Sequence, residues 1–494
     1  MTAISRAASV LLSPAAGSPA VYLVTRSPTL RFMGGMVAFP GGKVHASDDA
    51  LARPADGLTV DHVAAVRELF EETGVLLARD AAGRFPPTDP HLDQLRRLLL
   101  ADAIPFADLL HQHGWRLDPA DLTPAGRLVT PAFVPTRFDT AFFVAHCPPD
   151  QRPEVWEGEL TAGVWHTAAD AVTHWQRGEL PLSPPTLAIL RAFEGRPVDE
   201  APERLRPELD RLDRGDLPAI WAAPGVLLIP LASGGLPPTT HTNAYLVGTG
   251  PTYLLDPGPA DADEQARLFG LLDDHPFDAV VLSHHHPDHI GAAVACARRY
   301  RVPILAHAAT RDRLAGRVPI DRTLTDGDRL PLGTAPHGRG EWALQAVWTP
   351  GHAPGHLAFF EPDYGLLFAG DMVSPLSSMI VSPQDGDLAE YVASLRQLNA
   401  LPARMLLPSH GGPTLRPHAL LEEAIRHREV RERQLLAALE AGPRTLAELT
   451  LELYRGFPEP VRNLGRVQIE AGLLKLQREG RVGSAGEGYR LVEP

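Results

Sequence analysis

The stretch SHHHPDHIGA, Ser283–Ala292, places four histidines and one aspartate directly after the apolar segment AVVL. If that segment is a strand, alternation along the extended chain points His284 and His286 in the same direction. Asp288 and His289 follow on the turn and can reach a second cation beside the first. Imidazole and carboxylate groups in this pattern favour divalent transition metals, with Zn²⁺ as the first choice and Mn²⁺ or iron as alternatives. Water shared by two such ions loses a proton near neutral pH, which predicts attack by hydroxide on a carbonyl or phosphorus centre.

Three later segments add residues of the same kind, each after an apolar strand. TPGHAPGH supplies His352, LLFAGD ends in Asp371 and MLLPSH ends in His410. A single histidine at a strand end is usually a hydrogen-bonded polar residue, but that reading does not explain this ordered set. The segments THTNAYLV and LLDPG lie where the accompanying sheet should begin.

The order His-x-His-x-Asp-His, followed by a distal His, Asp and His, resembles the metallo-β-lactamase fold. The resemblance implies two adjacent ions bridged by Asp371, with Asp288 also acting in catalysis. His285 matches no ligand position, and His356 is expected to support the site rather than to bind metal. The implied ligands are His284, His286 and His352 for one ion, and Asp288, His289 and His410 for the second.

A second acidic cluster lies about two hundred residues upstream, in AVRELFEETGVLL. Its apolar residues are spaced for one face of a helix that ends at Gly74, and Glu68, Glu71 and Glu72 lie on the opposite side. Three crowded carboxylates repel one another unless a cation or Arg67 offsets their charge. Hard oxygen ligands of this kind suit Mg²⁺ or Mn²⁺. The alternative is a solvated acidic helix face.

This cluster resembles the signature of the Nudix hydrolase family, which matches from Arg67 to Val75. In FPGGKVHASD, Gly42 and Asp48 take the places of the family's glycine and first glutamate. Aspartate thus replaces glutamate, and eleven extra residues separate Asp48 from Arg67 relative to the usual spacing. The segment RSPTLRFMGGMVAFPGG is similar to Nudix enzymes that cleave coenzyme A.

What the Nudix resemblance implies is hydrolysis of a diphosphate joined to another group. Glu71 and Glu72 would hold Mg²⁺ or Mn²⁺, and Glu68 would activate water. A further metal ligand is expected from EVWEGELTAGVW, at Glu157 or Glu159, of which we favour Glu159. The implied substrate-binding residues are Arg31, Gly41, Gly42 and Arg67, the last of which would also orient the glutamates.

We therefore expect a multidomain α/β protein with a Nudix α/β/α sandwich, a metallo-β-lactamase αββα sandwich and a small winged-helix-like unit. A charged, proline-bearing stretch between the first two is predicted to be a linker with one exposed helix. After LLPSHGGPTLRP, three helical segments and a terminal hairpin predict the last unit. The expected bounds are 1–200 for the Nudix domain, 201–220 for the linker, 221–418 for the metallo-β-lactamase-fold domain and 419–494 for the winged-helix-like domain.

Composition narrows the range of partners. The chain has 494 residues, a net charge of −14 and a pI of about 5.8, so it has no bulk attraction to nucleic acid or anionic membrane. No apolar run reaches the roughly 18 residues of a membrane span, and the N-terminus does not read as a signal peptide. The two cysteines, Cys147 and Cys296, lack metal-ligand spacing. We expect a reduced, cytoplasmic setting and allow for a homodimer.

The favoured function is a bifunctional hydrolase. The Nudix site is expected to cleave a CoA-like or nucleoside diphosphate-linked small molecule, and the binuclear site a thioester, ester or phosphodiester. The second half also resembles the β-lactamase-like protein 2 group, which includes an RNA-cleaving hydrolase, so an endoribonuclease with an RNA-guiding tail is the alternative. The tail from Leu421 carries twelve basic and twelve acidic residues, which does not favour RNA. A non-catalytic winged-helix sensor is the third hypothesis.

Overall fold

The computed structural model describes residues 4–30, 33–134, 136–235 and 238–492. They form two compact units, divided between Pro224 and Gly225. Both units combine helices with sheets, which confirms the expected multidomain α/β class. Within the described residues, no helix combines the length and apolarity needed to cross a bilayer.

The first unit contains two sheets, with strand orders β4-β1-β6-β5 and β3-β2-β7. The strands of these sheets are β1 (Ser5–Ser13), β2 (Ala20–Arg26), β3 (Val37–Ala38), β4 (Gly41–Lys43), β5 (Thr123–Val129), β6 (Phe138–His146) and β7 (Leu160–Thr167). The unit also contains β8 (Ile220–Ala223), which belongs to neither of these two sheets. Its helices are α1 (Val60–Thr73), α2 (Pro90–Leu100), α3 (Phe106–Gln112), α4 (Ala168–Gln176), α5 (Pro184–Ala192) and α6 (Ala201–Asp213).

Strand β1 separates two apolar cores in this unit. Val10 and Leu12 contribute to the core that contains α1, α2 and α3, whereas Leu11 contributes to the core that contains α4, α5 and α6. Successive side chains of a strand point to opposite faces, so one apolar strand can serve both cores. Helices therefore cover both sides of the sheets, as expected for an α/β/α sandwich.

The predicted linker is partly a packed helix. Leu205 of α6 is buried. The side chain of Leu209 packs closely on Gly126 of β5, since a Cβ added to this glycine would lie only 2.6 Å from it. Apolar residues four positions apart lie on one face of a helix, and this face packs against the first unit. The expected helix is present and most of its residues are exposed or half-buried, although the face with Leu205 and Leu209 is packed. The description of this segment as a linker stays a prediction.

The second unit contains a sheet with the order β14-β13-β12-β11-β10-β9 and a sheet with the order β15-β16-β17-β18-β19. The strands of the first sheet are β9 (Val226–Ala232), β10 (His241–Gly248), β11 (Thr252–Leu255), β12 (Ala279–Val281), β13 (Ile304–His307) and β14 (Arg322–Leu324). The second sheet contains β15 (Arg329–Thr334), β16 (Glu341–Trp348), β17 (Leu357–Glu361), β18 (Leu366–Gly370) and β19 (Met405–Pro408). The helices are α7 (Ala262–Leu272), α8 (Pro287–Ile290), α9 (Ala293–Tyr300), α10 (Ala308–Leu314) and α11 (Leu388–Asn399).

The two sheets of this unit face each other. The rings of Tyr245 on β10 and Phe368 on β18 lie 5.2 Å apart. Strands β11 to β14 are parallel, and so are β18 and β19. The carboxyl ends of parallel strands meet at one edge of a sheet, where ligands bind in open α/β folds. The loops after β12, β18 and β19 are therefore brought close together.

The chain ends in three helices and a hairpin, as the sequence predicted. These elements are α12 (Pro417–Glu440), α13 (Leu446–Leu453), α14 (Glu459–Arg478), β20 (Val482–Ala485) and β21 (Gly488–Leu491). They share an apolar core that includes Leu435, Leu449 and Leu473. The description of this part as winged-helix-like stays a prediction.

Candidate metal centres

The histidine-rich loop begins directly after β12. Pro287 occupies the first position of α8, where its fixed φ and missing N–H suit a helix start. The extended residues before it carry His284 and His286, and the first turn of α8 carries Asp288 and His289. Because the chain changes from extended to helical here, four side chains from a six-residue segment point towards the same region.

Seven side chains of the second unit form two adjacent groups, and the ligand atoms within each group lie within 4.8 Å of one another. Asp371 lies between the groups: its Oδ2 is 3.5 Å from Nε2 of His352, and its Oδ1 is 3.2 Å from Nε2 of His410. This is the position that the bridging role requires. The members are His284, His286, His352 and Asp371 in one group and Asp288, His289 and His410 in the other.

Each of the five imidazoles turns one ring nitrogen towards the centre and hydrogen-bonds through the other. An oxygen acceptor on the outer nitrogen holds the proton there and leaves the inner lone pair free for a cation. The outer partners are the Ser283 hydroxyl for His284, Asp385 for His286, Asp256 for His289, the Ile380 carbonyl for His352 and the His241 carbonyl for His410, at 2.9–3.0 Å.

The inner atoms suit a cation. The inner nitrogens of His284 and His352 each lie 2.9 Å from Nδ1 of His286. Nε2 of His289 and Oδ1 of Asp371 are buried and make no hydrogen bond, although they are 3.4 Å apart. A buried polar atom without a partner costs about 1–3 kcal/mol. Burial lowers the pKa of His352 to about 4, so this imidazole is neutral and its lone pair is available at pH 7.

The charges around His289 lead to the same conclusion. Burial opposes a charge on this imidazole, yet the carboxylates of Asp371, Asp288 and Asp256 raise its pKa well above the usual value. Three carboxylates beside one buried ring give the centre an excess of negative charge. Imidazoles and carboxylates of this kind are ligands that Zn²⁺, Mn²⁺ and iron share. The residues therefore fit bound cations, and their assignment as ligands stays a prediction.

Asp256 is a supporting residue to which the sequence analysis gave no role. It follows β11, the parallel neighbour of β12, and has a left-handed backbone with φ of 48°. Its carboxylate accepts hydrogen bonds from the Ser283 backbone N–H at 2.7 Å and hydroxyl at 2.6 Å, and lies 3.0 Å from Nδ1 of His289. One aspartate thus fixes both histidine-bearing segments of the loop. Its place at the end of a strand beside β12 was the signal that could have revealed it.

His356 supports the centre. His285 lies outside these two groups but forms a third group of possible ligands with His286 and Asp385, which the sequence analysis did not predict. Nε2 of the buried His356 accepts a hydrogen bond from the Asp371 backbone N–H at 3.0 Å, and its Nδ1 lies 2.8 Å from the Thr349 hydroxyl. His356 therefore positions the backbone of Asp371. Nε2 of His285 is 3.1 Å from Asp385.

Asp385 is the second missed residue, and its contact with His286 leads to a prediction. Asp385→Asn is expected to weaken metal binding by roughly 10- to 100-fold, because the neutral amide holds the His286 ring less firmly. Competition with a chromogenic chelator measures this loss. The exposed Asp274→Asn provides a control with the same chemical change. Equal metal affinities for the two variants would show that Asp385 has no such role.

In the first unit, α1 presents the predicted glutamates opposite its buried face. Nη1 of Arg67 donates to Glu68 at 2.8 Å and to Glu71 at 3.0 Å, so Arg67 links two of the carboxylates as expected. Glu72 accepts a hydrogen bond from the Gly41 N–H at 2.8 Å. A Cβ at Gly42 would lie 2.4 Å from the Glu68 carboxylate, so a larger residue there would displace this carboxylate.

Asp48 is paired with Arg67 despite the longer chain between them. The two side chains form a bidentate ion pair with distances of 2.8 and 3.0 Å, and both are almost fully buried. The extra residues form two short 3-10 helices, Ala46–Ala50 and Pro54–Asp56, before α1 begins. The longer stretch therefore loops out and returns, and Asp48 orients Arg67.

Burial also makes the ionised forms of these glutamates unfavourable. Burial raises the pKa of Glu72 to about 8, with a further contribution from Glu68, and raises that of Glu71 to about 7. A bound cation would favour the ionised forms, so this carboxylate set fits Mg²⁺ or Mn²⁺. Within the described part of the chain, however, the tight ligand groups do not include these glutamates.

The remaining predicted Nudix residues have different outcomes. Glu159 is exposed, and its charge contributes to the raised pKa of Glu72, which places it near the cluster. Arg31 lies outside the described residues.

Arg26 was missed by the sequence analysis: its charge lowers the pKa of Glu72, and its buried Nε makes no hydrogen bond. Its position at the end of β2, as the first residue of the CoA-type segment, was the available signal.

Comparisons with known proteins match one family in each half of the chain. Residues 237–410 match the metallo-β-lactamase superfamily, and residues 54–192 match the NUDT19 Nudix domain. The chain belongs to the metallo-β-lactamase superfamily and also carries a Nudix domain. Both families are metal-dependent hydrolases, so the protein is a hydrolase that acts on small molecules.

Its relatives include the lactamase-like protein adaB from Aspergillus niger, 32% identical over 267 residues that cover 50% of this chain and 78% of that protein. An atrochrysone carboxyl ACP thioesterase from Aspergillus fumigatus is 28% identical over 55% of this chain and 88% of its own. A solved NUDIX hydrolase from Alicyclobacillus acidocaldarius is 34% identical, covering 39% of this chain and 91% of that chain with a TM-score of 0.35.

Proposed function

We propose that the second unit hydrolyses a thioester at a two-cation centre and that the first unit cleaves a diphosphate joined to another group. The observation that carries the first part is the position of Asp371, whose two oxygens face two separate groups of ligand atoms. Zn²⁺, Mn²⁺ or iron suits the imidazole-rich centre, and Mg²⁺ or Mn²⁺ suits the glutamates of α1. A relative named as an ACP thioesterase supports the choice of a thioester.

In the second unit, His284, His286 and His352 would hold one cation, Asp288, His289 and His410 the other, and Asp371 both. When bound, the cations supply a nucleophilic hydroxide and polarise the carbonyl. In hydrolysis, a C–O bond forms to the acyl carbon, the C–S bond breaks and the thiolate sulfur takes up a proton. Asp288 borders the cavity at this centre, so its carboxylate can accept a proton from water and deliver it to the sulfur.

In the first unit, Glu71 and Glu72 would hold the cation that clamps the diphosphate. Glu68 is the proton acceptor for the attacking water, and Arg67 fixes its carboxylate at 2.8 Å. Arg26 is a further candidate for phosphate binding, because its charge lowers the pKa of Glu72 and its buried Nε has no hydrogen-bond partner. The substrate class is a CoA-like or nucleoside diphosphate-linked molecule.

Metal removal tests this proposal in the full-length protein. Dialysis against a chelator is expected to abolish hydrolysis of both acetyl-N-acetylcysteamine and a diphosphate such as CoA or ADP-ribose. Because the ligand sets differ, Mg²⁺ alone should restore diphosphate cleavage, whereas Zn²⁺ or Mn²⁺ is needed to restore thioester hydrolysis.

Circular dichroism before and after dialysis controls for unfolding. Thioester turnover by the folded, metal-free chain would refute the proposed role of the second unit. Cleavage of short RNA, with no turnover of the thioester under the same conditions, would favour the endoribonuclease alternative.

A further inference from the structure

One cavity of about 710 Å³ connects the metal centre with the three C-terminal helices. One end is lined by His286, Asp288, His352, Asp371 and His410. The other end is mainly apolar and is lined by residues of α12, α13, α14 and the segment between the last two. Its apolar residues include Leu435, Tyr454, Phe457, Val461, Leu464 and Ile469. A volume of this size lies within the roughly 300–1,000 Å³ of small-molecule sites.

We propose that this cavity binds the apolar acyl chain of the substrate while the thioester carbonyl lies at the metal centre. The inference rests on the thioesterase function proposed above and adds the substrate class: thioesters of medium-length, uncharged acyl groups. It also gives the C-terminal helices a role, because they form the wall against which the chain packs.

The two arginines that line the cavity make contacts within the protein, which favours an uncharged chain. The buried Arg428 donates to Gln468 at 2.8 Å and to the Met379 carbonyl. Arg431 donates to Gln434 at 3.1 Å and lies over the Tyr454 ring. Because both Nη atoms of Arg428 donate within the protein, this residue has little to offer a phosphate backbone. These contacts disfavour RNA as the occupant.

Two glycines of α14 set the shape of this wall. A Cβ at Gly465 would lie 2.5 Å from the Tyr454 ring, and one at Gly472 would lie 3.2 Å from Leu435. Glycine inside a helix costs roughly 1 kcal/mol relative to alanine. The close approach of α14 to α12 and to the end of α13 accounts for its presence at both positions. The helices thus pack against one another beside an open cavity.

The cavity reaches the surface at the start of α14. Phe457 is 48% exposed and Val461 is 39% exposed, although both line the cavity. Apolar side chains that are half exposed at a cavity mouth become covered when an apolar ligand binds, and this burial favours binding. The mouth therefore suits the distal part of an acyl chain.

A chain-length series tests the inference. Full-length protein loaded with Zn²⁺ or Mn²⁺ would be assayed with acetyl-, butyryl-, hexanoyl- and octanoyl-N-acetylcysteamine. Each fully buried methylene is expected to raise kcat/KM by up to about fourfold until the cavity is filled. Val461→Asp places a carboxylate at the mouth of the cavity. It is expected to lower kcat/KM for the octanoyl compound at least tenfold, because the bound acyl chain would remove water from this charge. The decrease in kcat/KM for the acetyl compound should be much smaller than the decrease for the octanoyl compound.

The matched control is Leu451→Asp on α13, because Leu451 is 62% exposed and does not line the cavity. Equal kcat/KM for acetyl and octanoyl substrates in the wild type would overturn the acyl-chain site and leave thioesterase activity in place. Equal losses for both substrates in Val461→Asp would also overturn it. If the wild type hydrolysed none of the four, the proposed function itself would fall.

Discussion

Replacing Asp371 by asparagine is expected to abolish thioester hydrolysis by the second unit. Asparagine has nearly the same size, but it removes the negative charge whose two oxygens face His352 and His410. Both cations would then lose a shared ligand. The transition state would lose several kcal/mol of metal-dependent stabilisation, which corresponds to a decrease in kcat of roughly 1,000-fold. Steady-state hydrolysis of acetyl-N-acetylcysteamine measures the effect.

The control for this variant is Asp363→Asn, an exposed aspartate on the turn between β17 and β18. It makes the same chemical change and should keep wild-type turnover. Diphosphate cleavage by the first unit should be unaffected in both variants. If Asp371→Asn kept more than a tenth of the wild-type kcat, a bridging role for Asp371 would be untenable.

Glu72→Gln is expected to abolish diphosphate cleavage with Mg²⁺, with a loss on the order of 1,000-fold, while thioester hydrolysis continues. Glutamine can still accept the hydrogen bond from the Gly41 N–H, so the local fold should persist. What disappears is a buried negative charge that a cation needs. The assay would screen CoA, NADH and ADP-ribose at saturating Mg²⁺.

Glu194→Gln, an exposed change in the same unit, controls for the loss of a carboxylate in general. Asp371→Asn and Glu72→Gln also control for each other, because the first should remove only thioester hydrolysis and the second only diphosphate cleavage. Diphosphate cleavage by Glu72→Gln at the wild-type rate would rule out Glu72 as a metal ligand.

The sequence predicted that most of the candidate ligands lie close together, because their positions follow from local rules. Alternation along a strand, a proline-started turn and strand ends that share a sheet edge suffice to bring His284, His286, Asp288 and His289 together. His352, Asp371 and His410 could be predicted because each follows its own apolar strand. The overall α/β class followed from the same patterns.

Residues that act through contacts distant in sequence could not be predicted in this way. Asp385 lies about a hundred positions from His286, and the loop that carries it has no motif. The pairing of Asp48 with Arg67 depends on how the extra residues loop out, which spacing alone does not specify. The apolar cavity arises from the packing of α14 against α12 and α13, whereas the sequence showed only a tail with balanced charge.

The number of ions bound per chain tests the proposed centre most directly. Wild-type and Asp371→Asn proteins would be incubated with Zn²⁺, which is not the metal proposed for the glutamates of α1, then dialysed and analysed for metal, with circular dichroism to verify folding. We expect about two ions per wild-type chain and at most about one per variant chain. A folded wild-type chain that retains no ion, or a variant that binds as many ions as the wild type, would contradict a two-cation centre bridged by Asp371.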